Sequence, residues 1–318
     1  MSSVDEILDE VRAVIEPNKP PLDEARKRLR LVRDAAESFP GALRTYRSGS
    51  LAVHTMNKPV TDGDGGVVLN RTVYPELGPD GGGESPDAVV DQLCRHLDAT
   101  VRKAYPAVQI RKSKRGPELH FNAPIEDQDP TVDLVLALNR KDADGLWIPN
   151  LKTHEWDASH PEKHVELLNG DSESFRSIRR RVIRLAKAWN KQLQKPGTSS
   201  FELSVWAWEF LDAGTGVAEG FHTLFASAAA RLEAGEPTHD PAGVSVDLRL
   251  LLEADVVADR LRKAANAMAE ALDASTDRER RRALTKIFWD HLKDESVTPL
   301  RNSASLLRTG AATAAVAL

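Results

Sequence analysis

One cysteine, Cys94, is present among 318 residues. No internal disulfide can form, and a zinc site built on cysteines is excluded. Long apolar runs are also missing, since no stretch approaches the roughly 20 residues that a membrane-spanning helix needs. The acidic, amphipathic start MSSVDEILDEVRAVIE is wrong for a secretory signal, so a cytoplasmic location without membrane partners is expected. Positive charge is not in excess. Forty-three Lys and Arg against 48 Asp and Glu leave a net charge of −5, which argues against a dedicated nucleic-acid or anionic-membrane binder. The glycine cluster GPDGGGESP lacks the GK[ST] ending of a phosphate-cradling loop and is read as a connection. With 41% apolar and 29% charged residues, the composition is that of a globular chain large enough for one big domain or two ordinary ones.

Two amphipathic helices are expected first. Ser3 is placed as the N-cap of one, with Val4, Ile7, Leu8, Val11 and Ile15 on one face; PNKPP breaks it, and a second runs over 22–39 until Pro40-Gly41. From Thr45 to Leu138 the signals turn to strand and loop. GGVVLNRTVY reads as a strand, VQIRKS and ELHFN as a hairpin around Arg115-Gly116-Pro117, and 87–105 as a helix. TVDLVLAL alternates, with Val132, Leu134, Leu136 and Leu138 on one face and Asp133 on the other. Beyond residue 165 helical periodicity dominates, over 174–193, 201–211, 216–235, 254–275 and 277–293. The expected division is a mixed α+β unit at 1–165 that includes the N-terminal helices, a helical unit at 166–300, and a flexible tail at 301–318.

The chemistry concentrates in GSLAVHTMNKPVTDGDGGVVLN, residues 49–70. Asp62 and Asp64 stand two apart, so on a strand both carboxylates leave the same face. Such neighbours repel, and their cost falls when a cation sits between them. Oxygen ligands of this kind suit Mg²⁺. Asp133 is a third carboxylate in an apolar strand, where a charge needs a partner. Three carboxylates on neighbouring strands could bind the two metals of in-line phosphoryl or nucleotidyl transfer. A DGDGG string is otherwise a turn, and Gly63 weighs toward that reading. Gly49-Ser50 fits a phosphate contact, the glycine allowing close backbone approach and the serine donating hydrogen bonds.

The order Gly49-Ser50, Thr55, Asp62-x-Asp64 and a distant Asp133 resembles the nucleotidyltransferases of the DNA polymerase β superfamily. RRVIRLAKAWNK resembles the lysine-bearing helix of the oligoadenylate synthases and bacterial CD-NTases, and SSFELSVWAWEFL the helix that follows it there. The resemblance spans residues 40–295 and is greatest to the cGAS/DncV-like enzymes of CBASS anti-phage systems. It implies a polymerase β-like core with a mixed sheet, followed by an α-helical C-terminal half that completes the cleft. It further implies that nucleoside triphosphates are joined into a cyclic oligonucleotide messenger with two Mg²⁺ ions, or Mn²⁺. CBASS regulatory proteins are implied partners, and no duplex nucleic acid is required. By resemblance Asp62 and Asp64 hold both ions, while Asp133 shares one and helps deprotonate the attacking ribose hydroxyl. Gly49 and Ser50 contact the donor triphosphate, Lys187 reaches the phosphates, and Ser200 or Ser204 adds a hydroxyl. Gly63 departs from the pattern, where a branched apolar residue is more usual. Two rival readings stand beside this one: addition of nucleotides to an RNA end or a protein, and a catalytically inactive nucleotide-binding module.

Three further features are read more plainly. Arg176, Arg180, Arg184 and Lys191 share the helix with Lys187 and are expected to form a solvated stripe. His154, His160 and His164 in HEWDASHPEKH are expected to be loop histidines without metal. Trp156 is open to stacking on a base or to packing.

Overall fold

The computed structural model describes residues 3–82 and 85–292, so the expected tail at 301–318 and the last residues of the helical unit lie outside the described residues. Helix α1 (Val4–Ile15) is capped by Ser3, which exchanges hydrogen bonds with Glu6 in a capping box. Helix α2 (Lys19–Glu37) starts earlier than expected, because Pro20 and Pro21 occupy its first turn, where a missing N–H costs nothing. There follow β1 (Ala42–Ser48), a single turn α3 (Gly49–Ala52), β2 (Asp62–Leu69), α4 (Pro86–Ala104), β3 (Gln109–Lys112), β4 (Pro117–His120) and β5 (Thr131–Asn139). Two strands then appear, β6 (Leu146–Asn150) in a stretch with no expected element and β7 (Glu155–Ser159) where a loop was expected, and after them α5 (Pro161–Asn169). Proline inside LWIPN and three histidines in the next stretch hid them; they are ordered by antiparallel pairing to each other and to the end of β5.

Seven strands form one mixed sheet in the order β1-β2-β5-β4-β3, with β6 and β7 continuing from β5. Only β2 and β5 run parallel. Val132, Leu134, Leu136 and Leu138 pack with α2 and α4 in the first core. The opposite face of the same strands carries Tyr46, Val68 and Ala137 in a smaller cluster, and with them Asp62, Asp64 and Asp133. Gly63 does not disturb the strand. It points at α2 and α3, where a Cβ would come within 3.2 Å of Leu51 and 3.3 Å of the Leu29 side chain, so the helices close on the sheet through that glycine.

The second core is built from α6 (Glu173–Gln192), α7 (Ser200–Phe210), α8 (Val217–Glu233), α9 (Ala254–Asp273) and α10 (Asp277–Ile287). Helical spacing predicts an apolar stripe of Phe175, Ile178, Val182, Leu185, Trp189 and Leu193; all are buried on α6 and its C-cap except Ile178, which is partly buried against the same core. A single cut near residue 165 does not describe the packing, because α1 belongs here. Its Val4, Ile7, Leu8, Val11 and Ile15 are all buried against the helical core, a tertiary choice that helical periodicity alone does not reveal. Arg28, fully buried on α2, ties the first core together. It bonds Glu24 and Asp129 and donates to the carbonyls of Ala123 and Pro130, so the loop that feeds β5 is held by one guanidinium. Arg28→Met leaves Asp129 and two carbonyls short of a donor and should lower stability by about 3–5 kcal/mol, measured by chemical denaturation. A loss below about 1 kcal/mol would remove Arg28 from this role.

Candidate active site

Parallel pairing sets the centre of the site. Asp64 on β2 is level with Asp133 on β5, and Asp62 is two residues away on the same face. Glu118 on β4 is level with Asp133 from the other side. This fourth carboxylate was missed in the sequence, because the pairing of β4 with β5 that brings it to Asp133 is not written in the hairpin itself. Burial first, and then the charges of Asp62 and Asp133, push the Asp64 carboxyl up to about 7. Asp133 rises to about 6, again chiefly by burial, with Glu118 and Asp62 adding and His120 opposing. His120 lies 3.2 Å from Glu118. Among the described residues no group of three acidic, histidine or cysteine side chains stands, as placed, where it could hold a metal ion. The chemistry of the carboxylates still fits a hard divalent cation: every donor is an oxygen, and two of the carboxyls are held short of easy ionisation.

Glycine at position 49 is required twice over. Its φ is +62°, and a Cβ would stand 1.8 Å from Asp64 Oδ2. The turn α3 is thereby seated on the carboxylate, with Ser48 at the end of β1 level with Asp64. Ser50 follows and donates to the Met56 sulfur at 3.4 Å.

Lys187 is brought to the same place from the other core. Its Nζ donates to Thr55 Oγ1 at 2.8 Å and to the Thr55 carbonyl at 3.3 Å. Burial, helped by Arg184, lowers its pKa to about 8, while Asp62 and Asp64 oppose that fall. The arginine stripe is not a solvated face. Arg180 donates to the Val53 carbonyl and to Asn169 Oδ1, Arg176 donates to the Asn169 carbonyl, and Arg184 is half-buried. Asn169 donates to the Ala52 carbonyl, and Asn57 to that of Arg184. Carbonyls freed by the irregular segment 52–57 drew these side chains in. Only Lys191 and the neighbouring Arg181 remain exposed.

Ser200 opens α7 and is exposed, whereas Ser204 is buried and donates to the Ser200 carbonyl at 2.9 Å. Ser199, which sequence reasoning passed over, is the N-cap, accepting from the Glu202 N–H at 3.0 Å. Buried Asn190 on α6 fixes this turn by donating to the Thr198 carbonyl and accepting from the Gly197 N–H.

These parts line one cleft of about 560 Å³. Gly49, Ser50, Asp62, Asp64 and Lys187 stand on its walls together with Ser199, Ser200 and Ser204; Asp133 lies one strand behind Asp64. The cleft is also lined by Pro161, His164, Val165 and Leu168 of α5 and by Phe201. The three histidines separate: His154 is exposed, His160 caps α5, and His164 bonds buried Asp240 at 2.6 Å. Trp156 packs against the first core and does not line the cleft.

A mixed sheet with carboxylates on its parallel pair, closed by a helical half that supplies a lysine, is a polymerase β-like nucleotidyltransferase fold. Solved CD-NTases share it. CdnC of Escherichia coli MS115-1, solved with ATP, matches at TM-score 0.67 and 18% identity over 92% of this chain and 99% of that one. The CD-NTase CdnG of Bradyrhizobium diazoefficiens, solved with GTP, matches at 0.67 and 15% over 91% and 96%. DncV of Vibrio cholerae, a cyclic AMP-GMP synthase solved with nonhydrolysable GTP, matches at 0.57 and 15% over 92% and 82%. No protein-family model and no curated protein sequence matches the chain. The chain thus has the CD-NTase fold.

The crowded carboxylates predict a pH signature. Because the folded-state pKa of Asp64 lies above its ordinary 3.8, ionising it costs stability above about pH 7, and the cost fades as pH falls toward 4. Without divalent cations, Asp64→Asn should therefore be more stable than the parent at pH 8, by roughly 2–4 kcal/mol, and equal to it near pH 4. Unfolding curves across pH in EDTA measure this. A variant no more stable at pH 8 contradicts the crowding.

Proposed function

We propose that the protein is a Mg²⁺-dependent nucleotidyltransferase that condenses nucleoside triphosphates into a cyclic oligonucleotide messenger. The observation that carries this is the register of Asp64 with Asp133, beside Asp62, at a cleft that also receives Lys187. Asp62, Asp64 and Asp133 would hold Mg²⁺ or Mn²⁺, which when bound neutralises charge on the transferring phosphoryl group and acidifies the acceptor hydroxyl. The chain's own groups supply the rest. Asp133, level with Asp64, would help take the proton of the attacking ribose hydroxyl. Gly49 leaves room for the donor phosphates and Ser50 donates to them. Lys187, largely protonated at pH 7, faces the same charge from the helical side. Holding donor and acceptor between the two cores supplies orientation, which in-line displacement needs more than any covalent assistance.

The volume of the cleft supports nucleotide substrates, and the nucleotides bound to CdnC and CdnG support triphosphates. Ring closure is supported by the likeness to DncV, a cyclic AMP-GMP synthase. A place in CBASS anti-phage signalling, with regulatory proteins as partners, belongs to the same proposal and rests on the motif resemblance. No helix among the described residues is long and apolar enough to cross a membrane.

Purified protein incubated with four labelled NTPs and Mg²⁺ should yield a small product that survives phosphatase. Asn at 62, 64 or 133 should lower the rate by at least about 100-fold with the fold retained. A phosphatase-sensitive ladder would replace the ring with linear oligomers, and label found only on added tRNA or on protein would retire the messenger. Near-full turnover by the Asn variants would overturn the assignment of the carboxylates.

A further inference from the structure

The cleft wall holds a histidine, His164, whose hydrogen-bonding state is set by its surroundings. Asp240 is 6% exposed, and its Oδ2 accepts the backbone N–H groups of Val244 and Ser245 at 3.0 and 2.7 Å. Its Oδ1 accepts the N–H of Ala242 at 3.2 Å and the His164 ring at 2.6 Å. Four donors on one carboxyl keep it ionised, and its pKa is held at about 2. Being acceptor-only, Asp240 obliges His164 to donate from Nε2. Burial and nearby His160 lower the imidazole pKa against the pull of Asp240, so the ring is neutral at neutral pH. Its Nδ1 is then a lone-pair acceptor with no hydrogen-bond partner among the described residues. The ring lines the cleft and lies 4.7 Å from the ring of Phe201, which lines it too.

We propose that the His164–Asp240 pair reads the nucleobase here at purine C6 or pyrimidine C4, selecting adenine or cytosine, which carry an amino group at that position, over guanine or uracil, which carry a carbonyl there. The inference rests on the nucleotide reading of the cleft. The carboxylates and Lys187 suit the phosphates, and the rings of His164 and Phe201, which line the same cleft, suit the base. An amino group there meets an acceptor; a carbonyl oxygen meets a lone pair and leaves Nδ1 unsatisfied. The pair also ties the 236–253 segment to α5, a structural role that predicts no base preference.

The test is binding of nonhydrolysable ATP, CTP, GTP and UTP analogues to the full chain with Mg²⁺, by calorimetry. The parent should favour the ATP and CTP analogues by about 10-fold. His164→Phe keeps a ring against Phe201 without the acceptor, and the preference should shrink to within about 2-fold. Asp240→Asn gives a sharper outcome. Two backbone donors at Oδ2 fix the amide oxygen there, so its NH₂ faces His164 Nε2, moves the imidazole proton to Nδ1 and should reverse the preference toward GTP and UTP. Equal binding of all four by the parent, or a preference that survives His164→Phe, would overturn the inference while leaving the nucleotide reading intact. If no analogue binds the parent, that reading fails and takes the inference with it.

Discussion

Parallel pairing of β2 with β5 holds Asp64 level with Asp133, while burial keeps both carboxyls well above their ordinary range. That placement is costly to the folded chain, and the surrounding structure accommodates it. Position 49 is glycine because its left-handed conformation disfavours a side chain and because a side chain there would strike Asp64. Gly63 lets α2 and α3 close on the back of the strand, so the two aspartates are forced to the other face. Lys187 comes close enough to feel Asp62 and Asp64, yet its hydrogen bonds go to Thr55. A charge arrangement of this kind adds nothing to stability and is most simply understood as one completed by a bound cation and phosphates.

The two cores meet along the segment that follows the Gly-Ser turn. Carbonyls of Ala52, Val53 and Thr55 each accept a hydrogen bond from α6 or from Asn169, next to it in the chain. The helical half therefore does more than roof the cleft. It fixes the irregular connection from α3 to β2, and with it the position of Ser50 relative to Asp62. These bonds make Arg180 and its neighbours on α6 structural members and not a diffuse positive surface.

Much of this was legible in the sequence, and what was not shares one physical cause. The period-2 alternation of TVDLVLAL put Asp133 on the face opposite the leucines, and the structure has it there. The 3.6-residue stripe of α6 was legible for the same reason, since local periodicity reports which face is buried. Partners far apart in sequence were not legible. Arg28 meets Asp129 across 101 residues, and His164 meets Asp240 across 76. α1 packs into the helical core although it precedes the sheet. β6 and β7 carry weak strand signals of their own and are ordered by pairing. Gly63, read as a mark against a strand, proved to be a packing requirement, a distinction that rests on what lies across from it.

The central claim is that the carboxylates on β2 and β5 hold a divalent cation against a nucleoside triphosphate in this cleft. Crystals grown with a nonhydrolysable NTP and Mn²⁺, measured at a wavelength where manganese scatters anomalously, test it directly. The account predicts an anomalous peak between Asp62, Asp64 and Asp133, with the phosphates running from it past Ser50 toward Lys187. A nucleotide bound elsewhere, or triphosphate seated in the cleft with manganese away from the three carboxylates, would contradict it.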